Sequence, residues 1–281
     1  MLNTTGVLYV VATPIGNLAD FTLRAQQVLE KVQVIAAEDT RHSRHLLTHF
    51  GINTPLQALH EHNEKQATAQ LISRLQAGES VALISDAGTP LISDPGRYLI
   101  EIAHTQHIQV VPIPGASALI SALSVAGLSA DQFIFAGFLP AKSTARQQVL
   151  QSLSAETKTL VFYEAPHRIV DSVTDMLHCF GTERIGILCK ELTKLFETVQ
   201  RDSLANLLLW LNEEVERQKG EFVIVIQGAQ PLDTQALNPE AERVMRLLLT
   251  ELPLKQAAKL ASDITGVSKN KLYDWGLTQR D

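Results

Sequence analysis

The chain has 281 residues, is 45% hydrophobic and 19% charged, and carries a formal net charge of -6. That length and apolar content suffice for two packed domains, or for one large domain with an appendage, in a soluble globular protein. The acidic balance excludes a protein that coats nucleic acid by long-range attraction alone, while leaving room for local basic patches. The first apolar run, Gly6 to Ala12, follows no basic region and is too short to span a bilayer, so neither an export signal nor a membrane span is expected. Cys179 and Cys189 are too few for a disulfide framework and are not spaced as paired metal ligands. Both are expected as buried thiols in a reducing cytoplasm.

In chain order, strand-like runs fall at Val7 to Ala12, Val32 to Ala36, Val81 to Ser85, Ile108 to Ile113, Phe133 to Ala136, Thr159 to Tyr163, Ile185 to Cys189 and Phe222 to Gln227. Helical spacing lies between them, at Leu23 to Lys31, Ser43 to Phe50, Asn63 to Ala77, Gly96 to His104, Ala116 to Ala126, Ala145 to Leu153, His167 to Cys179 and Ser203 to Arg217. The alternation is an α/β pattern, and the continuous apolar strands suit sheets covered on both faces. A junction at Ala126 to Ala130 predicts two halves, 1–127 and 128–229, with a candidate cleft between them. A polar stretch from Gly228 to Asp233, containing Pro231, marks a second boundary. The remainder, 230–281, predicts three helices at Pro239 to Leu252, Leu254 to Ile264 and Ser268 to Leu277. The last two are separated by Thr265-Gly266-Val267, the outline of a helix-turn-helix or of a plain three-helix cap.

The richest motif is Ser85-Asp86-Ala87-Gly88-Thr89-Pro90-Leu91-Ile92-Ser93-Asp94-Pro95-Gly96. It follows an apolar strand and runs into a helix, where an open α/β sheet binds small molecules. Gly88 and Gly96 permit backbone conformations or close approaches that a side chain blocks, and Asp86 and Asp94 place carboxylates at the strand's mouth. Thr13-Pro14-Ile15-Gly16-Asn17 and Pro112-Ile113-Pro114-Gly115-Ala116-Ser117-Ala118 are similar turns. Neither G-x-G-x-x-G nor a P-loop is present, which removes the usual support for dinucleotides and nucleoside triphosphates. Ala37-Glu38-Asp39-Thr40-Arg41 ends the second strand. Asp39 there reads either as a helix cap or, with Arg41, as a group that orients a polar substrate. His42, His45 and His49 share a helix face without an evident companion ligand, so no metal is expected. Tyr163-Glu164, Lys190-Glu191-Leu192-Thr193-Lys194 and Lys219-Gly220-Glu221 place charges beside further strands and together indicate a polar cleft.

These motifs, with Gly137-Phe138-Leu139-Pro140, resemble the tetrapyrrole methylase superfamily, in its branch that methylates 16S ribosomal RNA. The resemblance runs from about Gly6 through the helical tail. It implies two α/β/α domains with S-adenosylmethionine in the cleft between them, a C-terminal helical module of helix-turn-helix type, a homodimer, and 2'-O-methylation of a cytidine in the decoding region, in the assembled 30S subunit. Cofactor contacts carried over to this chain fall on Pro14, Asp86, Ala87, Gly88, Ser117, Ala118, Tyr163 and Glu221. Methyl transfer to a ribose hydroxyl needs a group that removes its proton. Asp39, ranked first, and Glu164 are the candidates, with Arg41, Lys190 and Lys194 to hold phosphates or favour the developing alkoxide. Lys269 and Lys271, with Lys255 and Lys259, would let the tail hold RNA, and Lys142 and Arg146 are further RNA candidates in the α/β part. A methylase acting on a tetrapyrrole macrocycle, or a non-catalytic RNA-binding assembly protein, is the alternative, and the tail argues against the first.

Overall fold

Five parallel strands make the first sheet of the computed structural model, which describes residues 5–230, 237 and 239–279. They are Val7–Val11 (β1), Val34–Ala37 (β2), Leu56–Ala58 (β3), Val81–Ile84 (β4) and Gln109–Ile113 (β5), in the order β3-β2-β4-β1-β5. Side chains alternate across the sheet, so Val81 and Leu83 of β4 face one core and Ala82 and Ile84 the other. Leu23–Lys31 (α1) and Thr40–His49 (α2) cover the second face through Ala25, Leu29 and Leu47. Glu64–Gln76 (α3) and Arg97–Thr105 (α4) cover the first through Leu71, Leu75 and Leu99. Each of these leucines is almost wholly removed from water, worth about 2 kcal/mol apiece before ordering costs. Because all five strands are parallel, their C-terminal ends share one edge, and the turns leaving β1, β4 and β5 gather there.

The second sheet is built differently. Its strands are Phe133–Phe138 (β6), Thr159–Glu164 (β7), Ile185–Lys190 (β8), Thr198–Ser203 (β9) and Phe222–Ile226 (β10), in the order β6-β7-β10-β8-β9. Only β6 and β7 run parallel; β10 is antiparallel to both β7 and β8, and β8 to β9. Ser143–Leu153 (α6), Ile169–Phe180 (α7) and Leu204–Glu213 (α8) pack on one face. The other face is covered by Ala118–Val125 (α5), whose Leu119, Ala122 and Leu123 meet Val161, Ile187, Val223 and Val225. The expected junction at Gly127 therefore separates the strands of the two sheets, whereas α5, which precedes it in sequence, packs on the second sheet. One compact unit ends at Gly228 and contains both sheets, and a second begins at Ala229.

In the second unit, Pro239–Glu251 (α9), Leu254–Thr265 (α10) and Lys269–Thr278 (α11) enclose a core of Ala241, Val244, Met245, Leu254, Ala257, Ala261 and Leu272. Gly266 ends α10 in the left-handed conformation, and the Ser268 hydroxyl accepts from the Lys271 N–H to start α11. Pro231 and Asp233 of the expected linker lie outside the described residues. The eight expected strands form within two residues of their sequence bounds. The sequence reading missed β3, which is three residues long, and β9, whose TVQRDS sequence has no apolar run because it is an edge strand. Cys189 is buried, but Cys179 on α7 is only half-buried, a correction to the expectation of two buried thiols.

Candidate active site

Hydrogen bonds tie the three turns at the parallel edge together. The Thr13 N–H donates to the Gly88 carbonyl (2.9 Å) and the Gly88 N–H returns a bond to Thr13 (3.1 Å). The Thr89 hydroxyl donates to the Ala116 carbonyl at 3.1 Å, joining the loop after β4 to the turn after β5. Gly88 lies at φ +77°, and a Cβ there would meet the Ile15 Cγ2 at 3.1 Å, so a side chain is disfavoured by conformation and by space. Leu91 and Ser93 also occupy left-handed conformations, which non-glycine residues adopt at a cost and which cluster at functional sites.

This edge faces the second sheet across a cavity of about 410 Å³, a size suited to a small-molecule ligand. Ile15, Ala87, Gly88, Asp94, Ser117 and Ala118 line one side, and Tyr163, Glu164, Cys189, Leu192, Glu221 and Val223 the other. The structure thus brings together Ala87, Gly88, Ser117, Ala118, Tyr163 and Glu221 of the expected cofactor set. Pro14 and Asp86 do not line the cavity. Asp86 is turned to the neighbouring strand end, where its Oδ1 accepts from the Asp39 N–H at 3.1 Å. The Tyr163 hydroxyl accepts from the Leu119 N–H at 3.2 Å, and burial pushes its pKa up, so the phenol stays protonated. Burial likewise pushes the Cys189 thiol up to about 12, leaving an inert wall residue.

The expected proton acceptors are both engaged elsewhere. The Asp39 carboxylate caps α2, accepting from the Arg41 N–H at 2.8 Å and from the His42 N–H, and pairs with the Arg41 guanidinium at 3.3 Å. The hydrogen bonds from Arg41 hold its pKa below the usual range, and Asp39 does not line the cavity. Glu164 does line it, but its buried carboxylate accepts from the Ser172 hydroxyl and the Ala165 N–H and pairs with Arg168 at 3.3 Å. Asp94 is the group that sequence reasoning noticed at the strand's mouth without giving it a role. It lines the cavity, and burial, reinforced by Asp86 and opposed by a hydrogen bond from Ser85, pushes its pKa up to about 6. Glu38, outside the cavity, is also raised to about 6, by burial and by the negative charges of Asp86, Asp94, Glu61 and Asp39. The signal in the sequence is the second Asp-x-Gly of the loop, Asp94-Pro95-Gly96, a carboxylate two residues before a left-handed Gly96.

The family model for Tetrapyrrole (Corrin/Porphyrin) Methylases matches residues 7–208. The chain belongs to this family. A second model, RsmI C-terminal HTH domain, matches residues 235–280. The chain is 55% identical over 278 residues to "Ribosomal RNA small subunit methyltransferase I" of Pseudomonas aeruginosa, covering 99% of each chain. It is 51% identical to the protein of the same name from Pasteurella multocida, again over 99% of each. Among solved structures, uroporphyrin-III-C-methyltransferase from Thermus thermophilus shares the fold with a TM-score of 0.56 at 21% identity, over 79% of this chain and 94% of that one.

In this methylase the expected RNA contacts separate into exposed and buried cations. Lys142, Lys255, Lys259 and Lys269 are exposed and Lys271 is half-exposed. Arg146 is not at the surface, contrary to expectation. It is 3% exposed and its guanidinium bonds Asp175 at 2.6 Å, an acid that also accepts from Ser143 and Gln147. The reason is its place on the apolar stripe of α6, four residues before the fully buried Leu150. Lys190 is also a correction: at the end of β8 it is 9% exposed. Lys194 is held by Glu191 (2.9 Å) and Glu221 (2.8 Å), so its charge is already matched at the cavity rim. Among the described residues no three His, Cys, Asp or Glu gather as a metal site, and no helix is long and apolar enough to cross a membrane.

Proposed function

We propose that the chain transfers a methyl group from S-adenosylmethionine to the ribose 2'-hydroxyl of a cytidine in the decoding region of 16S ribosomal RNA. The observation that carries this is likeness over nearly the full length, at about half identity, to proteins named for small-subunit ribosomal RNA methylation, including the helical C-terminal module. The cavity fits the methyl donor. The glycine cradle at Gly88, the neighbouring Ala87 and the Ser117-Ala118 turn admit a flat adenosyl group against backbone, while Ile15, Leu192 and Val223 supply apolar walls. Tyr163 and Glu221 would complete that site from the second sheet. When bound, the sulfonium supplies an electrophilic methyl carbon.

The chain's own task is to align the hydroxyl oxygen with that carbon and to take its proton. Asp94 suits the second role. It is the cavity carboxylate without a guanidinium or lysine partner, and a group titrating near 6 is ionised at neutral pH while still basic enough to accept a proton. Asp94 would accept the hydroxyl proton as that oxygen takes up the methyl group, and the bound sulfonium would supply the methyl and retain the electron pair of the carbon–sulfur bond. Mass spectrometry of 16S rRNA from cells lacking the chain tests the reading. Loss of one ribose methyl on one cytidine, restored by the purified protein with S-adenosylmethionine, is the expected result; unchanged RNA overturns it.

A further inference from the structure

We infer that the outer face of α2 is a docking surface for the phosphate backbone of the RNA substrate. This rests on the methyltransferase reading above and names the surface by which that substrate is held. Arg41, Arg44, His45, Thr48 and His49 recur at i, i+3, i+4, i+7 and i+8, which places them on one stripe of the helix. All five are exposed, and together they line a depression separate from the cavity. The opposite face of the helix is spoken for, since Ser43 and Leu47 are buried.

Charge makes the stripe unusual in this chain. The formal net charge is -6, yet no Asp or Glu occurs from Thr40 to His60. Arg41 is paired with Asp39, whereas Arg44 meets no acid across the stripe, whose other members are Thr48 and imidazoles. From Arg41 to His49, about eight steps of helix rise, the stripe extends roughly 12 Å, enough to follow about three stacked nucleotides at roughly 3.4 Å each.

Its position gives the charge a purpose. α2 starts at the end of β2, where the Asp39 N–H bonds Asp86 of the loop that walls the cavity. The cavity side of that junction is acidic, with Glu38, Asp86 and Asp94 mutually repelling. A phosphate is repelled there and attracted one helix turn away. Phosphates held on α2 would leave a ribose to enter the cavity without drawing its phosphates in after it. Guanidinium and imidazole N–H groups on such a stripe fix position without reading bases, leaving sequence choice to other contacts.

The test is binding of the full-length protein to 30S particles and to deproteinised 16S rRNA across a salt series, with calorimetric binding of S-adenosylmethionine as the fold control. Arg44→Ala should lower the slope of log affinity against log salt by about 0.7–1. Arg44→Glu and His49→Glu should each weaken binding about tenfold at low salt, while S-adenosylmethionine binding stays unchanged. Arg201→Ala, an exposed cation on β9, should leave the slope as in the wild type. Unchanged affinity and slope in both Arg44 variants overturn the proposal. So does a loss confined to 30S particles with naked rRNA held normally, which assigns the stripe to a ribosomal protein. A wild-type protein that binds RNA through this face but transfers no methyl group would defeat the function and leave the surface standing.

Discussion

The two sheets that wall the cavity contribute to it in opposite ways. In the parallel sheet the strand ends align, so β1, β4 and β5 deliver three turns laced by the Thr13–Gly88 backbone pair and the bond from the Thr89 hydroxyl to the Ala116 carbonyl. That wall offers amides, carbonyls, a left-handed glycine and one carboxylate, Asp94, without a cationic partner. In the largely antiparallel sheet the strand ends point both ways, and the wall is a sheet face and its margin, made of side chains such as Tyr163, Cys189 and Val223. Charges near that sheet are matched internally: Glu164 by Arg168 and Ser172, Lys194 by Glu191 and Glu221, Arg146 by Asp175. Chemistry is therefore expected from the first wall, and rigidity from the second.

The chemical difference between the two walls rests most heavily on Asp94. Asp94→Asn should lower single-turnover methyl transfer by about 10²–10⁴-fold with S-adenosylmethionine affinity little changed, because a general base acts in the transition state. Asp39→Asn, which preserves the cap on α2, should stay within a few-fold. The wild-type rate should fall as pH drops through about 6, where Asp94 takes up its proton. The sign for stability is the reverse. An acid whose folded pKa is raised contributes stability below its unfolded value and loses it as pH rises through about 6. Asp94→Asn should therefore stabilise the protein by about 1 kcal/mol at neutral pH, after allowing for solvent access. A carboxyl NMR titration of the unliganded protein reads the same group without turnover.

Stability should respond instead on the other side. Arg146→Ala leaves Asp175 buried without its cation and should cost about 3–5 kcal/mol in chemical denaturation, whereas the exposed Arg74–Glu79 pair should lose under about 1 kcal/mol on Arg74→Ala. Burial opposes ionisation of Asp175, and Gln147, Arg146 and Ser143 outweigh it and hold its pKa low, so that contribution is lost as pH falls through the folded value. A further effect falls on the backbone of the first wall. Gly88→Ala should weaken S-adenosylmethionine binding by about 1–3 kcal/mol in calorimetry, since an alanine is strained at φ +77° and crowds Ile15.

Much of the first wall was legible before folding was considered. A short apolar run followed by glycine and proline names a parallel strand and the turn at its mouth, and β1, β4 and β5 all read that way, although only β4 is buried along its whole length and β5 is an edge strand. The second wall was harder, because an apolar run such as β10 carries no mark of its neighbours' direction. Arg146 shows a signal that was present and passed over: an arginine on the apolar stripe of a helix, with an aspartate on the facing stripe of α7, is a pair bound for the interior.

The sequence by itself determined the alternation of strands and helices, the turns at the parallel edge, the three-helix C-terminal module and the methylase family, because these depend on local periodicity, on backbone freedom at particular residues and on motif order. Only the tertiary structure decided that α5 covers the sheet that follows it, that Asp39, Glu164, Lys190 and Arg146 are committed or buried, and that Asp94 faces the cavity. Some of those outcomes, such as Arg146 against Asp175, depend on groups that meet across elements distant in sequence, and the local pairs Asp39–Arg41 and Glu164–Arg168 are fixed only by the backbone turn each element makes. A carboxylate beside a guanidinium or a helix start is spent there, and one with no such partner is left for chemistry.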